Sequence, residues 1–220
     1  MGRIARFLSY CISLPKSIYF NFRCLPFVVA VKLPFYIHYN VKLGELHRGI
    51  IKINAPIERF MVKYGVGGVK GIAANRAQIF LEKGSVTFKG RASFAEGFSI
   101  RNNGSLVFGD SFGGGKNGFI SCTKEVVFGN GILMAWDCTV RDSDGHIVLC
   151  DGVPQDPSKA INIGDHVWLA AESTVLKGVS IMRNSIVAYG SIVTKSFDME
   201  GALVGGIPAR LIKEGVNWEA

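Results

Sequence analysis

Residues 163–193 read IGDHVWLAAESTVLKGVSIMRNSIVAYGSIV. Stepping by six from Ile163 gives Leu169, Val175, Ile181, Val187 and Val193, an aliphatic residue every time. A helix needs apolar residues three and four apart, so this period excludes one. Strand alternation by two asks for no turn every six residues. Two residues before each next aliphatic stand Val167, Ser173, Val179, Ser185 and Ser191, small or β-branched. This is the hexapeptide pattern of a parallel β-helix: each unit is one short strand and one turn, and three units close a triangular coil of about 18 residues. The aliphatic side chains are expected inside the prism and the small neighbours at its corners. A β-sandwich also uses glycine and alternating apolar residues, but it has no reason to hold a six-residue register this long.

Working back along the chain, three blocks align at a spacing of 20, GSVTFKGRASFAEGFSIRNN (84–103), GSLVFGDSFGGGKNGFISCT (104–123) and KEVVFGNGILMAWDCTVRDS (124–143). They put Phe88, Phe108 and Phe128 at one step, and Phe108-Gly109-Asp110 and Phe128-Gly129-Asn130 mimic Ile163-Gly164-Asp165. Coils with a few extra loop residues are expected here, with glycine supplying positive φ at the corners. The stretch 143–160, with two prolines, two glycines and three aspartates, reads as a loop pushed out of the coil. After Phe197 the register ends. The expected division is a cap segment over 1–55, a β-helix over 56–213 and a tail over 214–220, with Leu211–Ala220 expected as a short terminal helix or strand capping the prism.

Composition agrees with a packed prism. Of 220 residues, 48% are hydrophobic and 27 are glycine, above the usual glycine share of about 7%. The net charge is +8, but residues 1–50 hold seven cations (Arg3, Arg6, Lys16, Arg23, Lys32, Lys42, Arg48) against Glu45 alone, or +6. A uniformly basic nucleic-acid binder is not built that way, and no nucleic-acid partner is expected. Five scattered cysteines form no CxxC and no even framework, so they are expected to be free thiols in a reducing compartment. The N-terminal run Phe27–Val31 is far short of the roughly 20 residues a bilayer span needs. Neither a signal peptide nor a myristoylation site is expected, since Arg6 stands where the latter needs serine or threonine.

The stretches Gly164-Asp165-His166-Val167-Trp168-Leu169, Val187-Ala188-Tyr189-Gly190-Ser191-Ile192-Val193-Thr194-Lys195 and Val204-Gly205-Gly206-Ile207-Pro208-Ala209-Arg210-Leu211-Ile212-Lys213 resemble the left-handed β-helix, hexapeptide-repeat acyltransferases. The resemblance covers about 84–213. Asp142-Ser143-Asp144-Gly145-His146 and Ile18–Pro26 are similar to the subgroup that acetylates sugars of capsules and lipopolysaccharides. The resemblance implies a mainly-β, left-handed parallel β-helix, a homotrimer, acetyl-CoA lying between neighbouring subunits and a histidine base. The chain departs from the family where Trp168-Leu169-Ala170 replaces Trp-Ile-Gly and where Ala188-Tyr189-Gly190 replaces Gly-Ala-Gly. Tyr189 then stands beside the expected pantetheine path.

Moving an acetyl group from a thioester to a hydroxyl needs a base that works near neutral pH, which makes His146 the candidate, with Asp142 or Asp144 orienting its ring. The alternative for His146 is a solvated loop histidine. The resemblance implies that the Ala171 amide stabilises the oxyanion, that Trp168, Ala188 and Tyr189 line the pantetheine arm, and that Thr194, Lys195, Arg210 and Lys213 hold the nucleotide end of CoA. Lys177 and Arg183 are expected to be surface charges, His166 a structural residue, and no metal is expected. The expected activity is O-acetylation of a sugar of a surface polysaccharide or its precursor, in the cytoplasm or at the inner membrane. A γ-carbonic-anhydrase-like metalloenzyme needs three histidines meeting across an interface, whereas only His146 and His166 lie in the repeat. A non-catalytic scaffold is the other alternative. The aromatic, basic first 50 residues read as a helical cap on the prism, a membrane-surface segment, or both.

Overall fold

The computed structural model describes residues 3–219, and it is a parallel β-helix with three faces. Face A runs from Phe35–Ile37 through Val62–Tyr64, Ala92–Phe94, Phe112–Gly114, Leu133–Met134, Trp168–Leu169 and Ile186–Val187 to Leu203–Gly206. Face B starts at Lys42–Leu43 and ends at Ile192–Val193, and face C starts at Ile51–Ile53 and ends at Ser180–Ile181. Strands on each face pair in parallel with the coil above and below. Among the described residues, the antiparallel pair of the prism is the closing hairpin of Leu203–Gly206 with Ala209–Lys213.

The six-residue series reads directly as register. Ile163 pairs with Ile181 on face C, Leu169 with Val187 on face A and Val175 with Val193 on face B, and all six side chains are buried. The 20-residue blocks also superpose in space, because Phe88, Phe108, Phe128 and Ile163 are successive partners on face C. The phenyl rings stack, with centroids 5.0 Å apart for Phe88–Phe108 and 5.5 Å for Phe108–Phe128. Each buried ring contributes about 2–3 kcal/mol of apolar transfer, with about 1 kcal/mol more for the aromatic pairing.

The Phe-Gly-Asp motif has a different purpose from the one expected. Gly109, Gly129 and Gly164 are not at positive φ; the left-handed residues of that edge follow later, at Ser111, Gly131 and His166. Glycine is required there because the coils touch. A Cβ on Gly109 would stand 2.2 Å from the Gly129 carbonyl oxygen, and one on Gly164 2.7 Å from the Arg183 nitrogen. The acidic or amide residue that follows links the coils. Asn130 Oδ1 accepts the Asp110 N–H at 2.8 Å, and Asp165 Oδ1 accepts the Asn130 N–H at 2.6 Å.

The prism begins at Phe35, about twenty residues before the expected boundary near 55. Apolar stretches of the first coil are too short and irregular to show a period. Helix α1 (Arg3–Cys24) and helix α2 (Phe27–Ala30) precede it. Ser9, Ser13, Ser17 and Asn21 recur every four residues and so share one face of α1. That face supplies hydrogen bonds to the open edge of Phe35–Ile37 and the residues after it. Asn21 accepts the Phe35 N–H at 3.1 Å and donates to its carbonyl at 2.8 Å, Ser17 accepts the Ile37 N–H at 2.9 Å, and Ser13 accepts the Tyr39 N–H at 3.0 Å. A polar helix stripe thus replaces the missing next strand and covers an edge that would otherwise invite pairing. Phe20 follows on the same side and packs against Phe35 at 5.3 Å.

At the other end the described residues beyond Lys213, 214–219, form neither helix nor strand. They turn back over the prism, with the Val216 N–H on the Gly201 carbonyl at 2.9 Å. All five cysteines are free, and burial pushes the Cys24 thiol up to about 12.

Candidate active site

The loop that carries His146 rises from a fixed base on the edge between faces B and C. Asp142 is fully buried. Its Oδ1 accepts the Thr123 N–H at 2.7 Å, and its Oδ2 accepts those of Lys124 and Glu125 at 2.7 and 2.8 Å. The Lys159 N–H returns to the Asp142 carbonyl at 2.9 Å, and Ser143 bridges Ser158, so both ends of the excursion are tied together. Leu149–Cys150 and Val153–Pro154 form a hairpin farther along the loop. Asp144 pairs with Lys177 at 2.5 Å.

This corrects the expected roles of the two aspartates. The first is an internal clamp for three backbone amides and the second is half of an ion pair, so neither is directed at His146. Spacings of two and four residues in a turn do not fix which way side chains point, and the unpaired amides at 123–125 draw Asp142 inward. His146 itself is exposed. Lys177, and Arg183 with its partner Glu200 at 2.8 Å, are surface ion pairs.

The edge between faces A and B is more regular. Beyond the second coil, five coils cross it with four residues each: 95–98, 115–118, 135–138, 170–173 and 188–191. The third residue of each, Gly97, Asn117, Asp137, Glu172 or Gly190, is left-handed, with φ between 55° and 79°. In the last four of these turns its N–H bonds to the coil below, as from Glu172 to the Trp136 carbonyl and from Gly190 to the Ala171 carbonyl, both at 3.0 Å. Among the described residues, the amides of Trp136, Ala171 and Tyr189 bond to no acceptor. Together they form a column of free donors.

Structures at both ends bound this column. Below it, residues 65–77 leave the same edge as a second extruded loop. Asn117 holds the loop down by accepting the Asn75 N–H at 2.8 Å and donating to the Ala73 carbonyl at 3.0 Å, and Lys116 reaches the Ile72 carbonyl at 3.0 Å. The expected 20-residue blocks start at residue 84 and leave this loop out, although the glycine-rich run Gly65-Val66-Gly67-Gly68 signals it. Above the column, the Gly205–Arg210 turn sits on the last corner, where the Gly206 N–H meets Ser191 Oγ at 3.1 Å. A Cβ on Gly205 would come within 3.0 Å of the Ala188 methyl, so both positions must be small.

Ala171, Ala188, Tyr189 and Arg210 therefore lie along one edge. Thr194 and Lys195 are exposed beyond the far end of the face-B strand Ile192–Val193, at the next edge. Lys213 is exposed on the closing hairpin. Tyr189 is 59% exposed, and its hydroxyl donates to the Glu172 carboxylate, closing a bar across the corner next to Ala171. Glu172 was not foreseen, since a lone acid in a hexapeptide turn carries no signal.

Trp168 is half-buried on face A, 6.1 Å from Trp218 of the returning tail, and its buried indole N–H has no partner. Trp218 also stacks flat on His166 at 4.4 Å and donates to the His166 carbonyl at 2.8 Å. With His166 Nδ1 3.2 Å from Asn184 Oδ1, that histidine is a packed corner residue.

No protein-family model matches the chain. A relative from Escherichia coli, WbbJ, named as an O-acetyl transferase of lipopolysaccharide biosynthesis, is 30% identical over 147 residues, which cover 52% of this chain and 74% of the relative. A relative from Mycobacterium tuberculosis, named as an acetyltransferase, is 26% identical over 126 residues, and there the match spans only 41% of the relative's length. Among solved structures, the polysialic acid O-acetyltransferase OatWY is 21% identical, covers 84% of this chain and 86% of its own, and has a TM-score of 0.49. The identity and coverage shared with the Escherichia coli relative, together with the register of the coils, establish that the chain belongs to the hexapeptide-repeat acetyltransferase family, with the left-handed β-helix as its fold.

Proposed function

We propose that the chain transfers an acetyl group from acetyl-CoA to a hydroxyl of a sugar in a surface polysaccharide or its precursor. The observation that carries this reading is the free Ala171 amide within the bounded column of the A–B edge. The name of the Escherichia coli relative supports the acceptor class.

In this reading His146 takes the proton of the sugar hydroxyl as its oxygen attacks the thioester carbonyl. The Ala171 N–H donates to the oxyanion of the tetrahedral intermediate. Collapse breaks the carbon–sulfur bond, and the thiolate of CoA takes the proton back from the imidazolium. No covalent enzyme intermediate is required. Tyr189 and Ala188 flank the pantetheine arm, and Arg210 receives phosphate.

One chain does not complete this arrangement. The His146 loop leaves the B–C edge and Ala171 lies on the A–B edge, a full face away, about 20 Å for six residues of strand and corner. A second copy must bring its loop to this corner. Three prisms around a parallel axis do so at three equivalent clefts, with Thr194 and Lys195 of the B–C edge facing the same cleft from the neighbour. This is the homotrimer. The reaction is assigned to the cytoplasm, where acetyl-CoA is made.

The metalloenzyme alternative loses ground because the His166 ring is already engaged by Asn184 and Trp218. The test is His146→Ala. Thiol release from acetyl-CoA, assayed with free, nucleotide-linked and lipid-linked sugars, should fall at least about a thousandfold while calorimetry still shows acetyl-CoA binding. Turnover at the parent rate would remove His146 from the mechanism. Absence of acetyl-CoA binding by the parent chain would remove the reading itself.

A further inference from the structure

Helix α1 is amphipathic in the reverse of the usual sense. Its Ser9–Asn21 stripe faces the protein, where the open strand edge needs hydrogen bonds, and its opposite face is apolar. Ile4, Phe7, Leu8, Ile12, Ile18 and Phe22 are between 40% and 78% exposed. Phe22 meets Phe27 at 5.8 Å, and α2 and the residue after it extend the patch with Val28 and Val31, 74% and 50% exposed. Single exposed apolar residues need no explanation, but a continuous face of this kind marks an interaction surface.

Charge decides the occupant. No acidic residue occurs before Glu45, while Arg23 and Lys32 are exposed beside the patch and Arg3 and Arg6 lie at the helix start in sequence. Lys16, in contrast, is turned inward and donates to the Val41 carbonyl at 2.8 Å. A second copy docked on this face would bring like charges together with no carboxylate to pair them. An anionic bilayer supplies both an apolar layer and negative headgroups. No described helix is long and apolar enough to cross a bilayer.

We propose that α1 and α2 lie in the interfacial plane of an anionic membrane. Their apolar face enters the headgroup–acyl boundary and the flanking cations meet lipid phosphates. The prism then stands end-on, because α1 covers the first strand of face A. The His146 loop leaves the fifth coil, four coil spacings or about 20 Å above the cap. The proposal does not depend on the acetyl-transfer reading.

The experiment is flotation of the full chain with phosphatidylcholine vesicles and with vesicles containing phosphatidylglycerol. The chain should float with the anionic vesicles and be released by salt at about 1 M, where the Debye length shrinks to about 3 Å. Combined Phe7→Ser, Leu8→Ser and Phe22→Ser changes, at exposed positions and with circular dichroism as a check on folding, should weaken partition about a hundredfold. Arg23→Glu with Lys32→Glu should remove the preference for anionic vesicles. Failure of the parent chain to float, or undiminished flotation of the triple variant, would overturn the proposal. So would sedimentation showing an oligomer lost in the triple variant without vesicle binding, which would assign the face to a second copy.

Discussion

The carboxylate of Asp142 closes over the backbone of Lys124, accepting its N–H at 2.7 Å while also holding the amides on either side. The base of the His146 loop is thereby fixed from beneath, by a residue that does not touch the histidine. Asp142→Asn loses an acceptor for at least one buried amide and should cost about 1–3 kcal/mol of stability. Asp144→Asn loosens a partly exposed pair with Lys177 and should cost less than about 1 kcal/mol. Denaturant unfolding of the two variants checks the order. Equal losses would mean that Asp142 does not clamp the loop.

Tyr189 stands where the family resemblance leads one to expect alanine, and its hydroxyl bonds to Glu172 across the corner beside Ala171. The hydrogen bond to Glu172, with a smaller contribution from burial, raises the phenol above its ordinary value, so it remains a donor through neutral and mildly alkaline pH. If this bar limits the space beside the thioester, Tyr189→Ala should raise the kcat/KM for butyryl-CoA relative to acetyl-CoA about tenfold, the scale set by a methylene-sized restriction. The measurement is thiol release with the two donors at a fixed acceptor concentration. An unchanged ratio would show that the bar lies clear of the acyl group.

His38 joins the cap to the prism. Its Nε2 lies 3.0 Å from Ser9 Oγ on α1, and its Nδ1 is 3.4 Å from the Asn40 N–H. Burial lowers its pKa below the ordinary 6.5, with Glu96 opposing and Lys16 adding to the effect. The folded state therefore binds this proton less readily than the unfolded chain. The stability is present in full above pH 6.5 and is lost as pH falls from there through the folded value. The melting temperature should drop between pH 7 and 5, and the drop should be shallower in His38→Gln. Parallel pH profiles for the two proteins would exclude His38 as a source.

The core of the prism was legible before any coordinates. The six-step series from Ile163 and the 20-step series from Phe88 are the register itself, because stacked coils require the same buried side chain at the same place in each turn. The candidate site was legible only as a set of positions. The family resemblance pointed to Ala171 and Tyr189, but the direction of Asp142 and the bonding of Asp144 to Lys177 depend on contacts with residues about twenty to thirty positions away. No local pattern encodes these. The reversed amphipathicity of α1 was present in the spacing of Ser9, Ser13, Ser17 and Asn21, yet a polar stripe reads by default as the solvent side.

By itself, then, the sequence determined the coil, the extruded 143–160 loop and the concentration of positive charge before residue 50. These follow from periodicity and composition, which act residue by residue. The tertiary structure alone decided that the prism starts at Phe35, that the polar stripe of α1 faces inward, that Trp218 returns to cover His166, and that the His146 loop and the Ala171 amide lie on different edges. Each of these depends on which unpaired backbone edge or apolar surface a distant segment satisfies, and that is settled only when the whole chain has packed.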